Sequence, residues 1–276
     1  MEPRSLTIYQ TQTAVFQCEA AVGEVSWLKN GRSLQLDQRM TVLPSGCLEI
    51  RNVNIPDRGS YSCTAGTLVS RTAELHLKAL VAKAGPEPPV FLLTPRGRSV
   101  LVGSRVTLEC SANGLPQPNL TWLKDGREIE LELVDTRYVR TGSGSLTINN
   151  VRLEDEGGYQ CRAENTEDSQ DSGVQLRVNL APSLVTAPAD HLSYEKDDIL
   201  FDCQVSGRPE PEVKWYKNGD LIIQSEYFQL VRGTSLKILG LVSSDAGIYQ
   251  CIATNTVGSV QAAAQLQVKT KGKYNH

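Results

Sequence analysis

Seven cysteines, three histidines and one dense run of acids are the side chains of this chain that could do chemistry. A cysteine can serve as nucleophile, metal ligand or disulfide partner, and a histidine catalyses only beside a suitable partner. His76, His191 and His276 are scattered, and none has a cysteine nucleophile or a paired carboxylate near it in the strand pattern described below, so the chain reads as non-enzymatic and without a cofactor. The acidic run Glu164-Asn165-Thr166-Glu167-Asp168-Ser169-Gln170-Asp171 could hold calcium only if several oxygens converged on one point. A solvated hairpin tip is the simpler reading of such a run.

Six of the cysteines belong to a repeat. Cys18, Trp27 and Cys63 are followed by Cys110, Trp122 and Cys161, and then by Cys203, Trp215 and Cys251, with the paired cysteines 45, 51 and 48 residues apart. Each second cysteine closes the line Asp-x-Gly-x-Tyr-x-Cys: Asp57 to Cys63, Asp155 to Cys161 and Asp245 to Cys251. A repeat of this spacing divides the 276 residues into three units of roughly 90 residues. Cores of that size gain from a covalent staple, so a disulfide is expected in each unit, Cys18 to Cys63, Cys110 to Cys161 and Cys203 to Cys251, with an oxidising, extracellular compartment.

The elements that must position these residues are strands. Apolar residues alternate at Ala14, Phe16 and Cys18, at Val106, Leu108 and Cys110, and at Ile199, Phe201 and Cys203, and the same period of two recurs at each Trp and at Leu48, Leu146 and Leu236. Short strands broken by Gly and Asn-Gly, with no helical period, predict an all-β chain of three tandem antiparallel sandwiches. The expected boundaries are a first module over 1–78, a linker over 79–89, a second module over 90–180, a third over 181–269 and a tail over 270–276.

The Cys, Trp and Asp-x-Gly-x-Tyr-x-Cys set resembles the immunoglobulin superfamily, and the short units resemble its I-set type. That resemblance implies a disulfide across the core with the Trp against it, and a Tyr whose hydroxyl folds back onto backbone. The third module is similar to the fourth immunoglobulin module of the DCC, neogenin and Frazzled netrin receptors. The similarity is carried by Asp198 to Gly207, Trp215-Tyr216-Lys217-Asn218-Gly219-Asp220, Tyr227-Phe228-Gln229 and Ile238-Leu239-Gly240, with Leu43-Pro44-Ser45-Gly46 fitting less sharply. By order the chain is identified as modules two to four of that family's ectodomain. The resemblance implies a segment of a single-pass guidance receptor with a netrin-like protein ligand whose main contacts lie in later repeats outside this chain. It also implies a horseshoe in which the first module folds back alongside the second over Ala79 to Pro89, with Leu80 and Val81 held in the interface. A homophilic adhesion or matrix protein built from similar modules is the alternative, and an intracellular scaffold with reduced cysteines is a third.

Net charge of −3 gives no global attraction to nucleic acid. No apolar run of about 18 residues and no charged-then-apolar leader is present, so membrane attachment is expected only through a segment absent from this chain, on the extracellular side of the cell membrane. Arg96, Arg98 and Arg105 open the second module as a sequence cluster that could recruit heparan sulfate. Cys47 aligns with Ser145 and Ser235, one step before a buried Leu, and alternation turns it to the outer face of its strand, where a free thiol is expected and an intermolecular bridge is the alternative. In Asn119-Leu120-Thr121 the same alternation turns the acceptor outward. Material from a secretory host should carry an N-glycan that is lost on glycosidase treatment and in Asn119→Gln; an unshifted mass would overturn this.

Overall fold

The structure, a computed structural model, describes residues 3–18, 25–78, 85–130 and 135–270. The described chain forms two compact units, Met1–Arg177 with two sandwiches and Val178–His276 with one. In the first sandwich the strands Leu6–Tyr9, Ala73–Lys78, Gly59–Ala65, Val25–Lys29 and Arg32–Ser33 lie side by side in that order, facing a second sheet of Ala14–Phe16, Leu48–Ile50 and Met40–Val42. The second sandwich pairs Gly157–Glu164 with Asn119–Lys124 and with the strand Ser169–Thr186, against a sheet of Val106–Leu108, Ser145–Ile148 and Tyr138–Thr141. An added two-stranded ribbon joins Glu87–Leu93 to Ser111–Leu115. The strand Glu87–Leu93 begins three residues ahead of Val90, and Pro89 within it is buried. The third sandwich repeats the plan with Gly247–Asn255, Glu212–Lys217 and Gly258–Lys269 facing Ile199–Phe201, Ser235–Ile238 and Phe228–Val231.

Period-two patterning explains each core. Disulfides join Cys18 to Cys63, Cys110 to Cys161 and Cys203 to Cys251, and each Trp stands opposite the second cysteine in register, Trp27 to Cys63, Trp122 to Cys161 and Trp215 to Cys251. A buried indole must place its N–H, and the three donate to the carbonyls of Gly46, Gly144 and Thr234 at 3.0, 2.7 and 2.7 Å. Phe16 stacks on Tyr61 at 4.7 Å and Phe201 on Tyr249 at 4.9 Å, while the second sandwich fills that position with Leu108.

The repeated line of sequence builds one corner three times. A single 3₁₀ turn ends at Asp57, Asp155 or Asp245, whose carboxylate accepts the N–H of Asn54, Arg152 or Val242 at 2.7 to 2.8 Å. The tyrosine two residues before the second cysteine donates its hydroxyl to the carbonyl of that same aspartate, at 2.6, 2.7 and 2.9 Å. Glycine is required between them. A Cβ on Gly59, Gly157 or Gly247 would lie 2.5 to 2.7 Å from a side-chain oxygen of Asn30, Asp125 or Asn218, and Oδ1 of each of these residues accepts the next residue's N–H at 2.8 to 2.9 Å.

A buried carboxylate must be neutralised. Arg39 and Arg137 form two-pronged bonds to Asp57 and Asp155, at 2.7 and 3.0 Å and at 2.6 and 3.1 Å. In the third corner Tyr227 donates its hydroxyl to Asp245 and the ammonium of Lys217 stands 3.6 Å away. Burial opposes ionisation of Asp155, but Arg137, Tyr138 and the Arg152 N–H outweigh it and hold the carboxyl below its ordinary value. A depressed carboxyl stabilises the fold above its unfolded pKa of about 3.9, and that support is lost as pH falls through the lower folded value. The second sandwich should therefore resist acid until below about pH 4. Arg137→Ala, which leaves Asp155 buried with less compensation, should cost about 3 kcal/mol in denaturant melts. A loss under about 1 kcal/mol would refute the assignment.

Candidate functional site

The faces of the sandwiches are what the chain offers to partners, and one face is already taken. Within the unit Met1–Arg177 the outer side of the sheet holding Leu48–Ile50 is covered by the second sandwich. All three residues of that strand are buried, Glu49 included, although a two-faced strand should leave its middle residue wet. Glu49 spends both oxygens on Ser143, one accepting its N–H at 2.7 Å and the other its hydroxyl, and Ser111 Oγ lies 3.1 Å from that hydroxyl. The Ser45 N–H donates to Glu109 at 2.8 Å. Thr13 and Asn113 exchange a reciprocal pair, Thr13 N–H to Oδ1 at 2.9 Å and Nδ2–H to the Thr13 carbonyl at 2.8 Å. The reciprocal pair is buried, as is Glu49 itself, so losing one partner strands a desolvated polar group. Leu80 and Val81, expected at this interface, lie outside the described residues.

Cys47 corrects the reading from alternation. It forms no disulfide within the chain, and it is buried at 6% exposure rather than on an outer surface. The aligned serines show why. Ser145 and Ser235 are also buried, and their hydroxyls accept the N–H of Cys110 and Cys203 at 3.1 and 3.3 Å, so this position turns toward the backbone of the first disulfide cysteine. The approaching second sandwich then closes over what alternation would have left open. Burial pushes the Cys47 thiol above its ordinary pKa, with Ser45 opposing.

Of the three arginines grouped in sequence, Arg96 and Arg98 share a cavity wall and Arg105 does not. A cavity of about 370 Å³ at this seam is lined by Ser45 and Cys47 from the first sandwich and by Leu93, Arg96, Arg98 and Glu109 from the second. Arg105 is not on its wall and donates its Nε–H to Asn149 at 2.7 Å. Asn119 is exposed at the head of its strand, with Leu120 and Trp122 buried and Thr121 half-buried between them.

The acidic hairpin of the second sandwich is braced. Arg162 holds Asp171 through two bonds of 2.8 and 2.9 Å, and Asn165 donates to the carbonyls of Glu87 and Pro116 at 2.8 and 2.9 Å. Asn255 repeats the brace in the third sandwich, donating to the carbonyls of Leu180 and Pro209 at 2.9 Å each. Among the described residues no group of three or more His, Cys, Asp or Glu side chains is placed to hold a metal, and no helix is long and apolar enough to cross a membrane. His191 packs edge-on against Phe201 at 5.2 Å, His76 is exposed on its strand, and His276 lies outside the described residues. Arg39, Arg137, Glu49, Glu109 and Asn113 were missed by sequence reasoning. For the two arginines a signal existed, Asp-x-Arg at Asp37 and at Asp135, ahead of the expected strands.

Disulfide-pinned sandwiches with this corner, in tandem, define an array of immunoglobulin modules, and the chain belongs to the immunoglobulin I-set family. The Immunoglobulin I-set domain matches residues 1–78 and 182–268, and the description Immunoglobulin domain covers 88–165. The chain is 38% identical to human Neogenin over 270 residues, covering 96% of this chain and 18% of that protein. It is 37% identical to mouse Netrin receptor DCC over 276 residues, 97% of this chain and 19% of that protein. The chain thus spans less than a fifth of these relatives. Among solved structures, the N-terminal four Ig domains of Dscam1 isoform 8.4 align with a TM-score of 0.73 at 27% identity, covering 97% of this chain and 72% of that one.

Cys47 reports on the seam. It should alkylate slowly in the native chain, while one thiol per chain should titrate after unfolding without reduction. In Asn113→Ala two hydrogen bonds are lost, at about 1 kcal/mol each, and native alkylation should accelerate roughly thirtyfold. A native rate equal to the unfolded one would remove the seam.

Proposed function

We propose that the chain is an ectodomain segment of a single-pass cell-surface guidance receptor of the netrin-receptor type, non-catalytic, supplying architecture and protein or glycan contacts in axon guidance. The single observation that carries this is the 38% identity to Neogenin held over 96% of the chain, with all three modules included. Three disulfides support an extracellular setting, since such bonds persist where the environment is oxidising. The buried seam supports an architectural role, because it fixes two modules side by side at the cost of a face that an isolated module would leave free for a ligand. The expected partner is a netrin-like protein, with its main contacts outside this segment and the cell membrane reached through another part of the protein. Asn119 is the expected glycosylation site, and heparan sulfate is an expected secondary partner through arginines of the second module. The expected module limits are 1–78, 90–180 and 181–269.

The test compares this segment with the complete receptor displayed on cells. The complete receptor should bind a soluble netrin, and the segment alone should bind it at least about tenfold more weakly. Absence of netrin binding by the complete receptor, or clustering of beads coated with the segment alone, would overturn the receptor reading in favour of homophilic adhesion.

A further inference from the structure

The cavity at the seam of the first two sandwiches is used by neither the core nor the corner network. Its walls come from two modules: Gln17, Ser45 and Cys47 on one side, Thr94, Arg96, Arg98 and Glu109 on the other. Arg96 and Arg98 are two residues apart, Arg98 opening the strand Arg98–Leu101, and both line the cavity. Two guanidinium forks match the paired oxygens of an oxyanion better than ammonium groups would. Glu109 already accepts the Ser45 N–H at 2.8 Å, and its negative charge leaves the three charged side chains of the lining at a net of +1. That balance suits one anionic group among neutral donors and disfavours burying several charges together.

We propose that this cleft binds a sulfated sugar unit of an extracellular glycan and that it is complete only while the first sandwich lies on the second. The assignment rests on the extracellular placement proposed above, where sulfate esters of glycans are the abundant oxyanions. Pockets that enclose small ligands run from about 300 to 1,000 Å³, so 370 Å³ accommodates one or two sugar units rather than a folded partner. Hydroxyls of such a sugar meet the amide of Gln17 and the hydroxyl of Thr94, while the sulfate meets the arginines. Because both modules supply wall residues, an occupant favours the closed seam by mass action. Cys47 is on the same wall, and an occupant shields its thiol.

The test uses the purified three-module chain and a glycan-derived disaccharide carrying a single sulfate ester. Expected results are saturable binding that weakens as salt rises, and slower alkylation of Cys47 in the presence of the sugar. The double variant Arg96→Ala, Arg98→Ala should lose about tenfold or more in affinity, whereas Arg105→Ala, off the cavity wall, should change it by less than about twofold. Glu49→Ala, which leaves every arginine in place but loosens the seam, should weaken binding and speed Cys47 alkylation together. Equal losses from Arg105→Ala and the double variant would overturn the site in favour of diffuse surface attraction. So would undiminished affinity in Glu49→Ala once Cys47 has become reactive, or equally tight binding of inorganic sulfate, of a sulfotyrosine peptide or of the unsulfated disaccharide. None of these outcomes bears on netrin binding by the complete receptor, so the cleft and the receptor reading fail separately.

Discussion

The rest of the structure depends on one buried carboxylate in each module. Asp57, Asp155 and Asp245 sit where a 3₁₀ turn must deliver the chain into the central strand that carries the second disulfide cysteine. The side chain stops the turn by accepting its first N–H, and the backbone carbonyl of the same residue receives the tyrosine hydroxyl. One residue thereby fixes both where the turn ends and where the strand begins. The cysteine four residues beyond the glycine then has little freedom in register, and the disulfide closes on a geometry that hydrogen bonds have already set. The lysines at Lys29, Lys124 and Lys217 complete the arrangement, each with its ammonium 5.7 to 5.9 Å from the corner tyrosine ring, so that a cation covers the aromatic face from the solvent side.

The carboxylate has a different counter-group in the third module. Arg39 and Arg137 supply a planar fork, but Tyr227 supplies one hydroxyl and Lys217 a more distant charge. A hydroxyl bound to a carboxylate resists ionisation, and the Tyr227 phenol is pushed up to about 12, by burial first and then by Asp245. The corner therefore tolerates two solutions to the same electrostatic demand. What it cannot tolerate is an apolar residue in that place, because the aspartate has no access to water.

Most of the fold was legible because it is written in local periodicity. The alternation at Phe16 and Cys18, the Trp to Cys register and the Asp-x-Gly-x-Tyr-x-Cys line all report contacts within one module, where the period of two and the turn chemistry decide the outcome. Cys47 and Glu49 mark the limit of that logic. Alternation assigns both to an outer face, and it has no means of seeing that another module covers it. The glycine of the corner was legible as a glycine, but its reason lay in the approach of Asn30, Asp125 and Asn218 from a distant turn. The arginine cluster marks a related limit. Proximity in sequence suggested one patch of three, whereas Arg96 and Arg98 line the cavity and Arg105 is paired with Asn149.

The seam joins modules through an unequal division of labour. In three of the five hydrogen bonds described across it a side-chain oxygen, from Glu49, Glu109 or Asn113, meets a backbone N–H, from Ser143, Ser45 or Thr13. Backbone donors are present whatever the side chain, proline excepted. Much of the specification of how these modules meet is thus concentrated in three acceptor residues, while Thr13 and Ser45 take part in these bonds through their backbone. Among gene duplicates built from interchangeable modules, such an asymmetry lets neighbours diverge at their surfaces without losing the register in which they dock. It also means that transplanting Glu49, Glu109 and Asn113 into an unrelated tandem pair would transfer the essential address of this junction.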